Sequence, residues 1–313
     1  MTPLFLGLSN PFGPDQPNER ALVPDALTQL DDWLAESEAA HPDLRPGTAK
    51  GIVWHGAQRT RTPWAIAYVH GFSASRLETA PAADQIAAAL GANLFYTRLT
   101  GHGLSAVAMA DATLQDWFAD ITEAVRIGHM LGERVLLIGC STGATLATWL
   151  ALRPEGELVD AHVFLSPNYG PKDKRAHIAN WPWGRQFIQL VQGPLRSSPV
   201  LDPRELIAWT NPHPTAAIFP VMALVKRIRE ADLTGFSKPV LILYSEGDQT
   251  VDPEHTRHAF GRLGSAIKTL EPVNYSRARG QHVLAGDIMA PEATTPLVNS
   301  VVSWVHKLPA SRS

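Results

Sequence analysis

The chain has 313 residues, of which 45% are hydrophobic and 18% charged, a balance typical of a globular protein and too apolar for a disordered chain. Its formal net charge is −3, and its densest basic stretch, residues 172–175, is interrupted by Asp173, so we predict no nucleic-acid partner. The single cysteine, Cys140, can form neither an intrachain disulfide nor a cysteine-based zinc site.

The first residues do not have the pattern of a signal peptide. Residues 1–9 are apolar but lack a basic stretch, and Pro11, Pro14 and Pro17 follow them at once. No apolar run approaches the length that spans a bilayer, so we expect no stable membrane insertion. These observations, with the lack of cysteine pairs, favour a cytoplasmic protein.

Short β-branched runs alternate with longer amphipathic runs along most of the chain. Helices are predicted at residues 24–39, 81–90, 114–130, 144–151 and 296–306, and strands at 51–54, 65–69, 93–96, 135–138, 161–165, 240–244 and 267–270. The run at 135–138 is continuously apolar, as expected of a strand that is buried on both faces. This order predicts an α/β fold with a mostly parallel sheet flanked by helices.

Residues 168–231 break this alternation. They are rich in proline and tryptophan and show helical patterns at 185–191 and 215–229 but no clear strand. Because they separate two core strands, we interpret them as an inserted helical cap and call them the cap segment. The predicted division is an N-terminal extension with a helix (1–50), an α/β core (51–167 and 232–313) and the cap segment (168–231).

The candidate nucleophile is Ser141. Residues 139–143 read Gly-Cys-Ser-Thr-Gly, a G-x-S-x-G pattern between a buried strand and a helix. In a nucleophile elbow of this kind the serine stands on a strained turn, and the flanking glycines leave room for it. The other interpretation is an ordinary strand-to-helix turn.

A second turn is predicted to face the nucleophile. His70, Gly71 and Phe72 follow the strand at 65–69. The backbone N–H groups of Phe72 and Thr142 would then form an oxyanion hole, which stabilises the charge that develops on a carbonyl oxygen. The alternative is a simple turn at a strand end, and we expect His70 to hydrogen-bond within this turn.

A serine hydroxyl needs a histidine base that is oriented by a carboxylate. In this fold the order along the chain is serine, acid, histidine. Asp248 follows the strand at 240–244 and a turn glycine, and His282 lies in a loop beyond the last strand. The competing acids are Glu246, Asp252 and Glu254, and the competing bases are His255, His258 and His306, all less well placed along the chain.

Taken together, these motifs resemble the α/β-hydrolase superfamily, and within it the monoacylglycerol lipase or lysophospholipase-like carboxylesterase branch. The residues that carry the resemblance are His70-Gly71-Phe72, the Arg-Leu-Thr-Gly-His-Gly run at 98–103, the pattern at 139–143, Asp248 with Val251 and Pro253, and His282. The resemblance implies that the Gly-His-Gly loop around His102 shapes the site without supplying a catalytic group. The first fifty residues fall outside this pattern and suggest a bacterial subgroup with its own N-terminal helix.

The large apolar residues of the cap segment have two interpretations. They could line an acyl pocket, or they could form the small core of the cap itself. Our candidate substrate-binding residues are Trp181, Trp183 and Phe219, with Asn168 at the rim of the pocket.

The predicted function is a serine hydrolase that cleaves small-molecule carboxylic esters through an acyl-enzyme intermediate, with no metal or organic cofactor. The same triad could instead serve an amidase or peptidase, an acyltransferase or a hydrolase of carbon–carbon bonds. A non-catalytic binding protein and a lipase that works at a membrane surface are two further alternatives. The second would need an exposed apolar patch on the cap segment. The oligomeric state is left open.

Overall fold

The computed structural model describes residues 13–309, which contain a seven-stranded sheet. Its strands are β1 (Gly51–Val53), β2 (Thr62–Val69), β3 (Asn93–Tyr96), β4 (Gly132–Cys140), β5 (Ala161–Leu165), β8 (Val240–Tyr244) and β9 (Lys268–Pro272). The order across the sheet is β1-β3-β2-β4-β5-β8-β9. Only β1 runs antiparallel to its neighbour, and the other pairs are parallel. This arrangement confirms the predicted fold class.

Helices cover both faces of the sheet. They are α1 (Leu27–Ala39), α2 (Ala82–Leu90), α3 (Ala106–Asp111), α4 (Leu114–Leu131), α5 (Thr142–Ala151), α6 (Gly184–Gln192), α7 (Glu205–Ala208), α8 (Ile218–Glu230), α9 (Pro253–Arg262) and α10 (Pro291–His306). Side chains of β2 alternate between the two layers: Ala65, Ala67 and Val69 pack toward α4 and α5, whereas Ile66 and Tyr68 pack toward α2 and α10.

The ends of two helices show how local sequence sets their bounds. Thr113 and Asp116 form a reciprocal capping box that begins α4. The last helix begins at Pro291, five residues before the predicted start at 296, because proline is well suited to the first turn of a helix.

The N-terminal extension is attached to the core by buried ion pairs. Glu38 of α1 accepts two hydrogen bonds from the Arg98 guanidinium, at 2.7 and 2.8 Å, and Lys50 lies 2.7 Å from Glu123. Residues 1–9, on which the signal-peptide prediction rests, lie outside the described residues.

The cap segment lies between β5 and β8 in the chain and adds no strand to the main sheet. It contains α6, α7 and α8 and a pair of two-residue strands, β6 (Leu195–Arg196) and β7 (His213–Pro214). The expectation of no strand in this segment was therefore wrong, since strands of two residues are too short to leave a periodic pattern. The limits of the cap as a domain stay a prediction.

Candidate active site

The candidate residues gather at one edge of the sheet. The segments that carry Phe72, Ser141, Asp248 and His282 follow the carboxyl ends of β2, β4, β8 and β9, the edge at which open α/β sheets build their sites. The Ser141 Oγ lies 3.0 Å from His282 Nε2, and His282 Nδ1 lies 2.7 Å from Asp248 Oδ2. An imidazole between a hydroxyl and a carboxylate can accept the hydroxyl proton while the carboxylate fixes its tautomer.

Asp248 is held for this contact. Its other oxygen, Oδ1, accepts hydrogen bonds from the backbone N–H groups of Thr250 and Val251 at 2.7 and 3.0 Å, and only 1% of its surface is exposed. The rival acids are engaged elsewhere: Glu246 pairs with Arg257, and Asp252 caps α9. The structure thus brings Asp248, and not these two, to His282.

The turn around Ser141 requires its glycines. Ser141 has φ 49° and ψ −111°, a strained conformation that is concentrated at functional sites. A Cβ on Gly143 would lie 2.1 Å from the Val69 carbonyl oxygen, and one on Gly139 would lie 2.7 Å from the Ala144 backbone. Only glycine fits at either position, so residues 139–143, the elbow, are shaped by close backbone packing.

Comparison with known proteins agrees with this geometry. The model of the family described as serine aminopeptidase, S33, matches residues 60–277, more than half of the chain. The chain belongs to the serine aminopeptidase S33 family. This confirms the predicted membership of the α/β-hydrolase superfamily.

Relatives of this S33 member include lipases. A thermostable monoacylglycerol lipase of Bacillus sp. (strain H-257) is 25% identical over 211 residues, 66% of this chain and 80% of that protein. A structure from work on LipS and LipT, two metagenome-derived lipolytic enzymes, superposes with a TM-score of 0.67 at 21% identity, covering 85% of this chain and 100% of that one. A soluble variant of the monoglyceride lipase of Saccharomyces cerevisiae gives 0.63 at 14% identity, over 83% and 91%. These likenesses confirm the predicted resemblance to monoacylglycerol lipases.

Residues 70–72, which we call the oxyanion loop, face the elbow. His70 Nδ1 lies 2.9 Å from the Gly71 carbonyl oxygen, and its Nε2 accepts from the Leu99 N–H at 3.0 Å. Burial lowers the pKa of His70 to about 4, so the ring is neutral and structural. Within residues 13–309 the N–H groups of Phe72 and Thr142 donate to no other protein group, which leaves both able to bind an oxyanion.

The Gly-His-Gly loop supports the oxyanion loop by packing. The His102 ring is fully buried and lies 6.1 Å from the Phe72 ring and 5.6 Å from that of Trp117, measured between centroids. Desolvation lowers the pKa of His102 well below its ordinary value, so it is uncharged. The His102 ring therefore packs between the rings of Phe72 and Trp117 and supports Phe72 by contact.

Sequence reasoning missed Glu78, a buried carboxyl beneath the oxyanion loop. Its Oε1 accepts from the Gly71 N–H at 2.8 Å and from the Tyr68 hydroxyl at 3.0 Å. Burial raises the pKa of Glu78 to about 7, although the two hydrogen bonds act in the opposite direction and lower it. No motif marks this residue in the sequence, because its partners are brought to it only by the fold.

A cavity of about 640 Å³ opens above Ser141 and His282, with Phe72 and Asn168 in its wall. Residues of the cap segment line much of it, including Ile188, Ile218 and Met222, and core residues such as Thr250 and Arg279 also contribute. The Asn168 N–H also donates to the Ser141 carbonyl oxygen at 3.2 Å, which ties the start of the cap segment to the elbow.

Three other candidates do not reach this cavity. Trp181 and Trp183 are 61% and 55% exposed and lie on the outer surface of the cap. Phe219 is buried in the small core of the cap with Ile188 and Met222. None of the three is among the residues that line the cavity, and Phe219 fits the second interpretation, a core of the cap itself. A role of these residues in substrate binding stays a prediction.

Proposed function

We propose that the protein is a serine hydrolase that cleaves carboxylic esters of small molecules. The observation that carries this proposal is the hydrogen-bonded series from Asp248 through His282 to Ser141, with distances of 2.7 and 3.0 Å, at the floor of a cavity. Likeness to a thermostable monoacylglycerol lipase supports an ester as the substrate. A cytoplasmic location stays a prediction.

The reaction has two steps. In the first, His282 Nε2 accepts the proton of Ser141, whose Oγ attacks the ester carbonyl carbon, and the N–H groups of Phe72 and Thr142 stabilise the oxyanion. The alcohol leaves with the proton from His282, and Ser141 is left acylated. In the second step water gives its proton to His282 and attacks the acyl group, which releases the acid and restores the Ser141 hydroxyl. Asp248 stabilises the imidazolium in both steps.

Labelling with a fluorophosphonate and hydrolysis of p-nitrophenyl butyrate test this proposal. Ser141→Ala should abolish labelling and lower kcat by about 10⁴-fold or more, as in other serine hydrolases that lose the nucleophile. Ser73→Ala, which removes another hydroxyl of the same cavity, should still be labelled. Wild-type turnover that survives in Ser141→Ala would refute the assignment. The matched p-nitroanilide measures the amidase alternative, to which the family description gives weight.

A second candidate, hydrolysis at a lipid surface, is favoured by the outer face of the cap segment. More than half of each of the following apolar side chains is exposed there: Trp181, Trp183, Phe187, Leu190 and Val191. Apolar patches of this kind often mark interaction sites. Helix α6 carries the last three, and its Ile188 and Gln192 line the Ser141 cavity, so the patch borders the cavity. In residues 13–309 no helix is long and apolar enough to cross a bilayer, so such contact would be peripheral.

Co-sedimentation with phospholipid vesicles tests the lipid-surface candidate. The wild-type protein should pellet in part, and a Trp183→Asp/Leu190→Asp variant should stay in the supernatant. Leu22→Asp is the matched control, because Leu22 is 81% exposed but lies outside the cap segment. Wild-type protein that remains entirely in the supernatant would count against this candidate.

A further inference from the structure

The charges that line the Ser141 cavity are not balanced by one another. Three arginines and two carboxylates face it. Arg175 lies 2.8 Å from Asp173, and Arg279 lies 3.6 Å from Glu205 and donates to the Pro199 carbonyl oxygen. For the third arginine, Arg196, no carboxylate among residues 13–309 lies within 4.0 Å of the guanidinium. The cavity therefore has one cation more than it has anions.

Arg196 is part of a short, ordered ribbon. It pairs with His213 across the antiparallel strands β6 and β7. Residues directly opposite in such a pair project from the same face, with Cβ atoms about 5 Å apart. Both residues line the cavity and both are half-buried. The strands thus present a guanidinium and an imidazole side by side to the same space.

This ribbon stands next to the oxyanion loop. The His213 ring packs edge-on against the Phe72 ring, with 5.3 Å between centroids. Burial, together with the positive charge of Arg196, lowers the pKa of His213 to about 4, so the imidazole is neutral in the free protein. A neutral imidazole still offers one N–H donor. Arg196 and His213 therefore lie one aromatic ring away from the site where the ester carbonyl would bind.

We propose that Arg196 and His213 form a subsite that binds an anionic group of the substrate. This inference rests on the proposed esterase function and names its substrate class: esters that carry a carboxylate or a phosphate in addition to the scissile bond. A guanidinium binds either group through two parallel hydrogen bonds, and the imidazole N–H adds a third donor. An anion here would also balance the unpaired charge of the cavity.

An arginine that served only solubility would extend into water. Arg59 behaves in that way, because its side chain is 62% exposed, it pairs with Asp31, and it does not line the cavity. Arg196 instead lies half-buried in the cavity wall on a hydrogen-bonded strand. The two arginines give a matched pair of variants, Arg196→Gln and Arg59→Gln.

Two pairs of substrates test the proposal and separate the two sources of the anion. The first pair, p-nitrophenyl butyrate and mono-p-nitrophenyl succinate, differs by a carboxylate on the acyl side. The second, butyrylglycerol and butyrylglycerol phosphate, differs by a phosphate on the alcohol side. In at least one pair the ratio of kcat/KM, anionic over neutral, should fall by about 10- to 100-fold in Arg196→Gln, the loss expected for a charged hydrogen-bonded contact. Arg59→Gln should keep the wild-type ratio.

The pair that responds identifies the side of the ester that carries the anion. If Arg196→Gln leaves both ratios at the wild-type value, or if Arg59→Gln changes them as much, the subsite does not exist. If no ester is hydrolysed, the esterase proposal fails instead, and the subsite is then judged by binding. Inorganic phosphate should raise the melting temperature of the wild type and not of Arg196→Gln, and equal responses of the two proteins would overturn the inference.

Discussion

The elbow and the cap segment meet at one cavity, but they are built in different ways. At the elbow, backbone atoms approach so closely that Gly139 and Gly143 admit no side chain, and Ser141 is held in a strained conformation. The cap segment has a small core around Phe219 and carries exposed tryptophans and arginines. The position of Ser141 is thus fixed by close backbone packing, whereas the outer wall of the cavity is formed by individual side chains.

The elbow should respond most strongly to the smallest possible change. In Gly143→Ala the new methyl group would meet the Val69 and His70 carbonyl groups, at 2.1 and 2.8 Å, and β2 and the oxyanion loop would have to move. We expect the free energy of unfolding to fall by about 3 kcal/mol or more, and kcat by about a hundredfold or more, because the N–H groups proposed to bind the oxyanion would be displaced. Urea unfolding and ester hydrolysis measure the two effects.

Gly261→Ala in α9 is the control for this variant. No atom lies within 4 Å of the Cβ that it would add, so its stability should be unchanged or higher by about 0.5–1 kcal/mol. A Gly143→Ala protein as stable and active as Gly261→Ala would show that the elbow can accommodate a side chain. Close backbone packing would then not distinguish the elbow from the cap segment.

Glu78 should have the next largest effect, since it holds the oxyanion loop from below. Glu78→Ala would leave the Gly71 N–H buried without an acceptor, at a cost of about 1–3 kcal/mol, whereas the Tyr68 hydroxyl would keep its 2.7 Å contact with Thr79 Oγ1. We expect kcat to fall by about 10- to 100-fold with little change in KM. Glu78→Gln keeps an acceptor oxygen and should recover most of this loss, whereas Glu78→Leu, which fills a similar volume without an acceptor, should not.

The pH dependence of stability provides a separate test of Glu78. Its pKa is about 7 in the folded protein and near 4.5 in the unfolded chain. Between these values the folded protein binds the proton more tightly, so the wild type should lose stability as pH rises through this window, by about 3 kcal/mol. Glu78→Gln should lack this contribution, as followed by urea unfolding at several pH values. Parallel curves for the two proteins would show that Glu78 does not titrate there.

The sequence was sufficient for features that depend on local pattern and chain order. Strand and helix periodicity predicted the sheet, and the order serine, acid, histidine pointed to Ser141, Asp248 and His282, which the structure brings into hydrogen-bond contact. Steric limits explain why this works, because the elbow needs glycines at fixed positions around its serine.

Features that depend on distant partners could not be predicted. Glu78 is linked to the site through Tyr68 and Gly71, and Glu38 finds Arg98 sixty residues further along the chain. The place of the cap aromatics could not be predicted either, because apolar side chains serve a cavity wall, a core or an outer surface equally well. Phe219 packs in the cap core and Trp183 faces outward.

Helix α8 joins the cap segment firmly to the core. Near its first turn Phe219 and Met222 pack within the cap, and further along Leu224 and Ile228 are embedded in the main core. A cap that moves as one body needs flexible connections to the core at both of its ends. Here the connection from the cap segment back to the core is a continuous helix whose second half is buried in the core. We therefore expect any widening of the cavity entrance to come from the first half of the cap segment, around α6, while α8 stays in place.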